Sequence, residues 1–315
     1  MKGFLRIFAL SLGVALVFYT GFVLFENLDD LQSIHVRFSK SVLLYPFVIL
    51  LNLLSSGRLF DCGLGPVRSQ ISLVESLTLS AIVRLTNYVT PGPGGVAVRI
   101  AVLRATKGLS VTAGIRSAFQ STALLLFIGA TATLCVVTID RLQLLESKGA
   151  NLPLLLISGC GVAVLGIVCG IWFARGFRSL LEVGSATINH MIFSGALWQS
   201  LCWGSLLFLS FSFLLYCELS IFSVTADLPA VFVVTLVTRF GALLKVTPAG
   251  LGVQEGLLIA SGSMVGLPEA EMIAVAALRR AGVSTISAIT AFVGSPFVFR
   301  SPLPQLLRDI KSRSK

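Results

Sequence analysis

Long apolar runs separated by short polar connections set the pattern of this chain. Runs at residues 4–25, 41–57, 113–139, 153–174, 191–217 and 272–297 predict helices that cross a bilayer. A bilayer's hydrocarbon layer of about 30 Å takes about 20 helical residues, and these runs are close to that length. The first run follows Lys2 and Arg6, as a secretory signal would. It is too long for one and no small-residue cleavage site follows, so it is expected to stay as a span.

Two other apolar stretches are interrupted. Across residues 71–90, Ser72, Ser76, Ser80 and Arg84 recur every fourth position, with Glu75 and Asn87 beside them, which is one polar stripe on a helix. The chain then breaks at 91–95, and a short apolar helix runs to about Leu103. The second stretch, 228–246, carries Thr235 and Arg239, breaks in the same way, and continues as a short arm at 250–265. The breaks resemble each other. Val89-Thr-Pro-Gly-Pro-Gly-Gly-Val-Ala-Val-Arg-Ile100 and Val246-Thr-Pro-Ala-Gly-Leu-Gly-Val-Gln-Glu-Gly-Leu257 share Val-Thr-Pro and then Gly-Val four positions on, and a Gly-Leu turn follows each, at Gly108 and Gly266. Proline and glycine interrupt a helix, and broken backbone at membrane depth survives only where protein or a polar cavity covers it. Paired breaks at corresponding places of two halves point to a transport site.

Composition fixes the class. Of 315 residues, 55% are hydrophobic and 12% charged, with mean hydropathy +0.93. The expectation is one all-α polytopic membrane domain over 1–315, with about six spans and two re-entrant hairpins in an inverted repeat. The half-repeats are about 1–140 and 151–300, and a basic cytoplasmic tail occupies 300–315. Hairpin arms that each span fully are the alternative. Of the six cysteines, most sit in apolar runs with no zinc spacing, and His35 and His190 are far apart, so no metal and no cofactor are expected.

The net charge of +10 is explained by topology rather than by nucleic acid. With both termini in the cytoplasm, Lys2, Arg6, Arg58, Arg68, Arg104, Lys107, Arg116, Arg175, Arg178 and the tail's bases fall inside. Only Arg37, Lys40, Arg141 and Lys148 fall outside, with most acids, including Glu218, Asp227, Glu269 and Glu271. That is the positive-inside asymmetry of a multi-pass inner (plasma) membrane protein. Three spans per half is an odd number, which inverts the second half.

Eight charges remain in the membrane body: Arg84, Arg99, Arg239, Lys245, Arg279, Arg280, Glu75 and Glu255. Such residues are costly in hydrocarbon and usually mark a pathway or pair with one another. Six bases against two acids leave a positive surplus. The broken segments, with Pro91, Gly94 and Gly95 in one and Pro248, Gly250 and Gly252 in the other, turn helix N-termini toward it. The expected site binds an anionic group through Arg99, Arg239, Glu255, Arg279, Arg280, Arg84 and Lys245.

The segment Pro248-Ala-Gly-Leu-Gly-Val-Gln-Glu-Gly256 resembles a signature of the lysylphosphatidylglycerol synthase transmembrane (flippase-like domain) family. Pro91, Gly95, Arg99, Leu103 and Gly108-Leu109-Ser110 are similar to its first signature, and Arg279 or Arg280 to the arginine of its last helix. Val96 stands where the family often has an acid, and Phe119-Gln120 where it often has a Glu-Arg pair. The resemblance covers nearly the whole chain and is to members without the soluble synthase domain. It implies lipid translocation, the movement of a polar headgroup across the bilayer, and with the positive surplus the expected substrate is an anionic phospholipid or a lipid-linked sugar. The alternatives are a non-transporting membrane partner of a lipid-modifying or glycosyl-transferring enzyme, and a secondary transporter of a small anion. An enzyme is not expected, since no Ser-His or paired His-carboxylate arrangement is present, and without a nucleotide-binding loop direct ATP drive is not expected either.

The charge asymmetry carries a test. In a background without the native cysteines, a cysteine at Gly149 should react with an impermeant reagent in intact cells, and one at Ser69 only after permeabilisation. Labelling of Ser69→Cys in intact cells reverses the assignment.

Overall fold

The computed structural model describes residues 40–90, 94–148, 196–241 and 252–299. These residues form eight α-helices and one short 3-10 helix. The first half holds α1 (Lys40–Cys62), α2 (Leu73–Val89), α3 (Gly94–Lys107) and α4 (Val111–Lys148). The second holds α5 (Ala196–Ile221), α6 (Leu228–Gly241), α7 (Val253–Met264) and α8 (Glu269–Val298). The spans expected at 4–25 and 153–174 and the tail at 300–315 lie outside the described residues.

Helices α1, α4, α5 and α8 are long and apolar enough to cross a membrane. Phe47, Phe127, Trp198 and Phe292 stand exposed on them, as suits helices whose outer faces meet lipid. The other four are short: α2 has 17 residues, α3 and α6 have 14 each, and α7 has 12. At about 1.5 Å per residue their described lengths fall short of about 30 Å of hydrocarbon. They pack in sequence neighbours, α2 on α3 and α6 on α7.

Three helix boundaries differ from the sequence expectation for one reason. Helix α1 continues to Cys62 through residues read as a basic loop, and the 3-10 helix Gly65–Gln70 follows it. Helix α4 runs through 140–148, read as an outside loop, to Lys148. Helix α5 runs past Glu218, also placed outside, to Ile221. In each case charge ends the apolar run but the helix continues, in α1 until Gly63, because the residues that follow, Leu and Arg among them, sustain it.

Local signals at the short helices are repeated between halves. Ser72 starts α2 with a capping box: its Oγ accepts from the Glu75 amide at 3.1 Å, and Glu75 Oε2 accepts from the Ser72 amide at 2.8 Å. At the start of α6, Asp227 Oδ1 accepts from the Ala230 amide at 2.9 Å. Helix α3 ends at Gly108 (φ 68°) and α7 is followed by Gly266 (φ 82°), the left-handed conformation glycine adopts without strain. The next residues, Leu109 and Leu267, are buried.

Packing repeats as well. Exchange α1 with α5, α2 with α6, α3 with α7 and α4 with α8, and the pattern of packed helix pairs among the described residues maps onto itself. Thus α1–α2 becomes α5–α6, α2–α8 becomes α6–α4, α4–α5 becomes α8–α1, and α3–α4 becomes α7–α8. The pair α1–α5 maps onto itself and forms the centre. Tyr45, Ile49, Leu53, Ala81, Leu214 and Val283 fill that centre. Phe60, Leu79, Ile100 and Leu103 form a core under the first hairpin, and Leu215, Val234, Leu258 and Met272 one under the second. Gly57 lets α1 approach α2, since a Cβ there would lie 2.5 Å from the hydroxyls of Ser76 and Ser80.

Candidate functional site

A cavity of about 400 Å³ lies among these helices. Arg84 of α2, Arg99 of α3, Arg239 of α6, Glu255 of α7, and Arg279 and Arg280 of α8 all line it. Six of the seven charged residues expected at the site thus share one cavity. The seventh, Lys245, lies outside the described residues, as do Pro91, Pro248 and Gly250.

Three of the five arginines are held by acids. Arg99 is 4% exposed and donates through Nη2 to Asp61 Oδ1 at 2.7 Å and to the Gly57 carbonyl at 3.1 Å. Its Nη1 donates to Ser80 Oγ at 3.2 Å, and its carbon lies 4.4 Å from the centre of the Phe60 ring. This one side chain ties α3 to α1 and α2. Arg279 Nε donates to both oxygens of Glu218, at 3.1 and 2.9 Å, and its Nη2 also donates to Oε2. Tyr45 OH donates to Glu218 Oε1 at 3.2 Å, so α1, α5 and α8 meet at that carboxylate. Arg280 Nη2 lies 3.1 Å from Glu255 Oε1 and its guanidinium 5.6 Å from the centre of the Tyr88 ring.

Arg84 and Arg239 differ. Among the described residues neither forms an ion pair. Arg84 Nη2 donates to Asn52 Oδ1 at 2.9 Å, a neutral partner. Arg239 stacks on Phe211 with its guanidinium carbon 3.7 Å from the ring centre, and its Nε is buried without a hydrogen-bond partner.

The helix starts at the breaks are partly occupied. The Gly95 amide donates to Asn87 Oδ1 at 2.9 Å, and the Gly252 amide to Glu255 Oε2 at 2.9 Å. Gly94 opens α3 and Gly252 precedes α7. Glu255 therefore joins the start of α7 to Arg280 and leaves less of that helix end free for an anion than expected.

Two further acids, Asp61 and Glu218, are buried among these helices, so the expected two acids against six bases become four against six. Glu218 is fully buried in α5, not in an outside loop, and Asp61 is fully buried at the end of α1. Glu75 does not reach the cavity; it caps α2 and pairs with Lys107 at 3.1 Å. The repeat holds the signal that finds the missed acids: Asp61 precedes Pro91 by as many residues as Glu218 precedes Pro248. Asn52 and Phe211 also line the cavity, and only Asn52, a polar residue inside an apolar run, is marked in the sequence.

Residues 6–289 match the family model described as the lysylphosphatidylglycerol synthase TM region. No curated protein matches the chain.

Removing one partner of a buried ion pair costs about 3–5 kcal/mol, whereas replacing both with apolar residues is often neutral. Arg99→Met and Asp61→Leu should each lower thermal stability in detergent by an amount in that range, and the double variant should recover most of it. Single variants as stable as the native chain would show that the pair does not anchor α3.

Proposed function

The chain belongs to the lysylphosphatidylglycerol synthase TM-region family, and on that footing we propose that it moves the headgroup of an anionic lipid, a phospholipid or a lipid-linked sugar, across the membrane. The observation that carries this reading is the cavity itself. Five arginines line it, and among the described residues three acids are paired to them: Asp61, Glu218 and Glu255. An uncompensated guanidinium is costly away from water. A negatively charged headgroup entering the cavity would relieve that cost, while its acyl chains stayed in hydrocarbon.

The helices suit such a path. The short arms α2 with α3 and α6 with α7 are proposed to be re-entrant, one entering from each side, so that their breaks face each other near mid-membrane. The repeated packing supports a swap of roles between halves, which is how inverted repeats alternate access to a fixed site. Both termini are proposed to lie in the cytoplasm and the chain in the inner membrane, an orientation that the positive-inside asymmetry supports. The proposed activity is transport, with no bond made or broken.

The test is reconstitution of the purified full chain into vesicles holding a fluorescent anionic phospholipid. Bleaching the outer leaflet with an impermeant reductant should consume inner-leaflet label faster than in protein-free vesicles. Equal rates in the two preparations would rule out translocation of that lipid.

A further inference from the structure

We infer that Arg84 and Arg239, which share the neighbouring ring of Phe211, form a clamp for one phosphate or diphosphate group bearing two negative charges. This deepens the transport proposal and rests on the same cavity as the headgroup site.

The first ground is which charges are free. Arg99, Arg279 and Arg280 are engaged by Asp61, Glu218 and Glu255. Arg84 and Arg239 form no ion pair among the described residues. What remains is two positive charges, and a monoanionic phosphodiester would leave one of them unmatched.

Geometry is the second ground. Both guanidiniums neighbour one ring: Arg239 stacks on Phe211 with its carbon 3.7 Å from the ring centre, and the carbon of Arg84 lies 6.0 Å from it. Neither can be farther from the other than those two distances combined. Two like charges within that distance repel in a low-dielectric interior, and an anion bound by both offsets the repulsion. A ring supports a guanidinium by its face and leaves the in-plane N–H groups to bind, the arrangement suited to bidentate phosphate recognition. Arg239 Nε is a buried donor of this kind, still without a partner. Arg84 is steered but not neutralised: Asn52 Oδ1 accepts from it at 2.9 Å, and Asn52 Nδ2 donates to Ser210 Oγ at 2.9 Å.

The repeat is the third. Ser72, Ser80 and Arg84 on the first hairpin recur at one constant spacing as Asp227, Thr235 and Arg239 on the second. Counted from the helix starts at Ser72 and Asp227, the clamp takes one arginine from the same position of α2 and α6; counted back from the prolines, Arg239 lies two residues farther from its break than Arg84. A group held by both would be gripped from one short helix of each half.

The experiment measures binding to the purified full chain by calorimetry in neutral detergent, at about pH 8, above the second phosphate pKa of about 6. The probes are short-chain phosphatidate, short-chain phosphatidylglycerol and inorganic phosphate. Phosphatidate should bind at least about tenfold tighter than phosphatidylglycerol, as expected when a second charge-assisted contact is gained. Arg84→Gln and Arg239→Gln should each erase that preference, and Arg104→Gln, at the exposed end of α3, should leave it intact. Arg239→Lys keeps the charge and should keep the preference with weaker binding, which separates loss of the clamp from loss of the fold. Inorganic phosphate binding with the same dependence on Arg84 and Arg239 upholds the clamp and assigns it to a free anion rather than a lipid. Equal affinity for the two lipids, or a preference untouched in both Gln variants, overturns it. Lipid that crosses without this preference leaves transport standing and removes the clamp; the preference in a chain that moves no lipid does the reverse.

Discussion

Keeping arginine inside a membrane protein is the constraint on which the rest of this structure depends. Five guanidiniums border one cavity, and each has a distinct solution. Arg99 is sunk between α1, α2 and α3 against Asp61. Arg279 is locked by Glu218, which Tyr45 also holds. Arg280 reaches Glu255, which in turn caps the start of α7. These pairs do not need to add net stability to matter. Their loss on one side leaves a buried charge, so they fix the geometry of α3, α7 and α8 around the cavity and make alternative packings costly. Only Arg84 and Arg239 are left with their charge unmatched among the described residues, and this separates a scaffold of paired charges from a pair available to a ligand.

The repetition between halves gives that separation a physical origin. Asp61 and Glu218 occupy corresponding positions in α1 and α5 when counted from the prolines, and Arg84 and Arg239 corresponding positions in α2 and α6 when counted from the helix starts at Ser72 and Asp227. Their partners are not equivalent, however. Asp61 binds an arginine of the adjacent short arm, whereas Glu218 binds one from α8. At the places in α4 that correspond to Arg279 and Arg280, counting from Gly108 and Gly266, stand Ser121 and Thr122, which also line the cavity. The halves share a packing plan and have diverged in the charges that face the cavity.

Much of this was legible in the sequence because membrane chains punish irregularity. A proline and glycines inside apolar sequence, repeated with an arginine or glutamate beside them, marked the breaks. Arg84, Arg99, Arg239, Glu255, Arg279 and Arg280 stood out for the same reason, and the structure brings all six to one cavity. What escaped were the partners. Asp61 and Glu218 fall where apolar runs end, and a charge there reads as the start of a loop. Helix continues through both, because nothing at those positions breaks it. Phe211 was invisible for the opposite reason: an aromatic in an apolar helix carries no signal until an arginine is seen stacked on it. Which arginines are paired and which are free is a tertiary fact that no local pattern encodes.

The most direct measurement of the central claim is an electron cryo-microscopy map of the full chain in a nanodisc rich in phosphatidate. The account predicts phosphate density in the cavity within hydrogen-bonding reach of both Arg84 and Arg239, with acyl chains leaving toward the bilayer. A cavity empty of phosphate, with lipid headgroups resolved only on the outer faces of the helices, would contradict it.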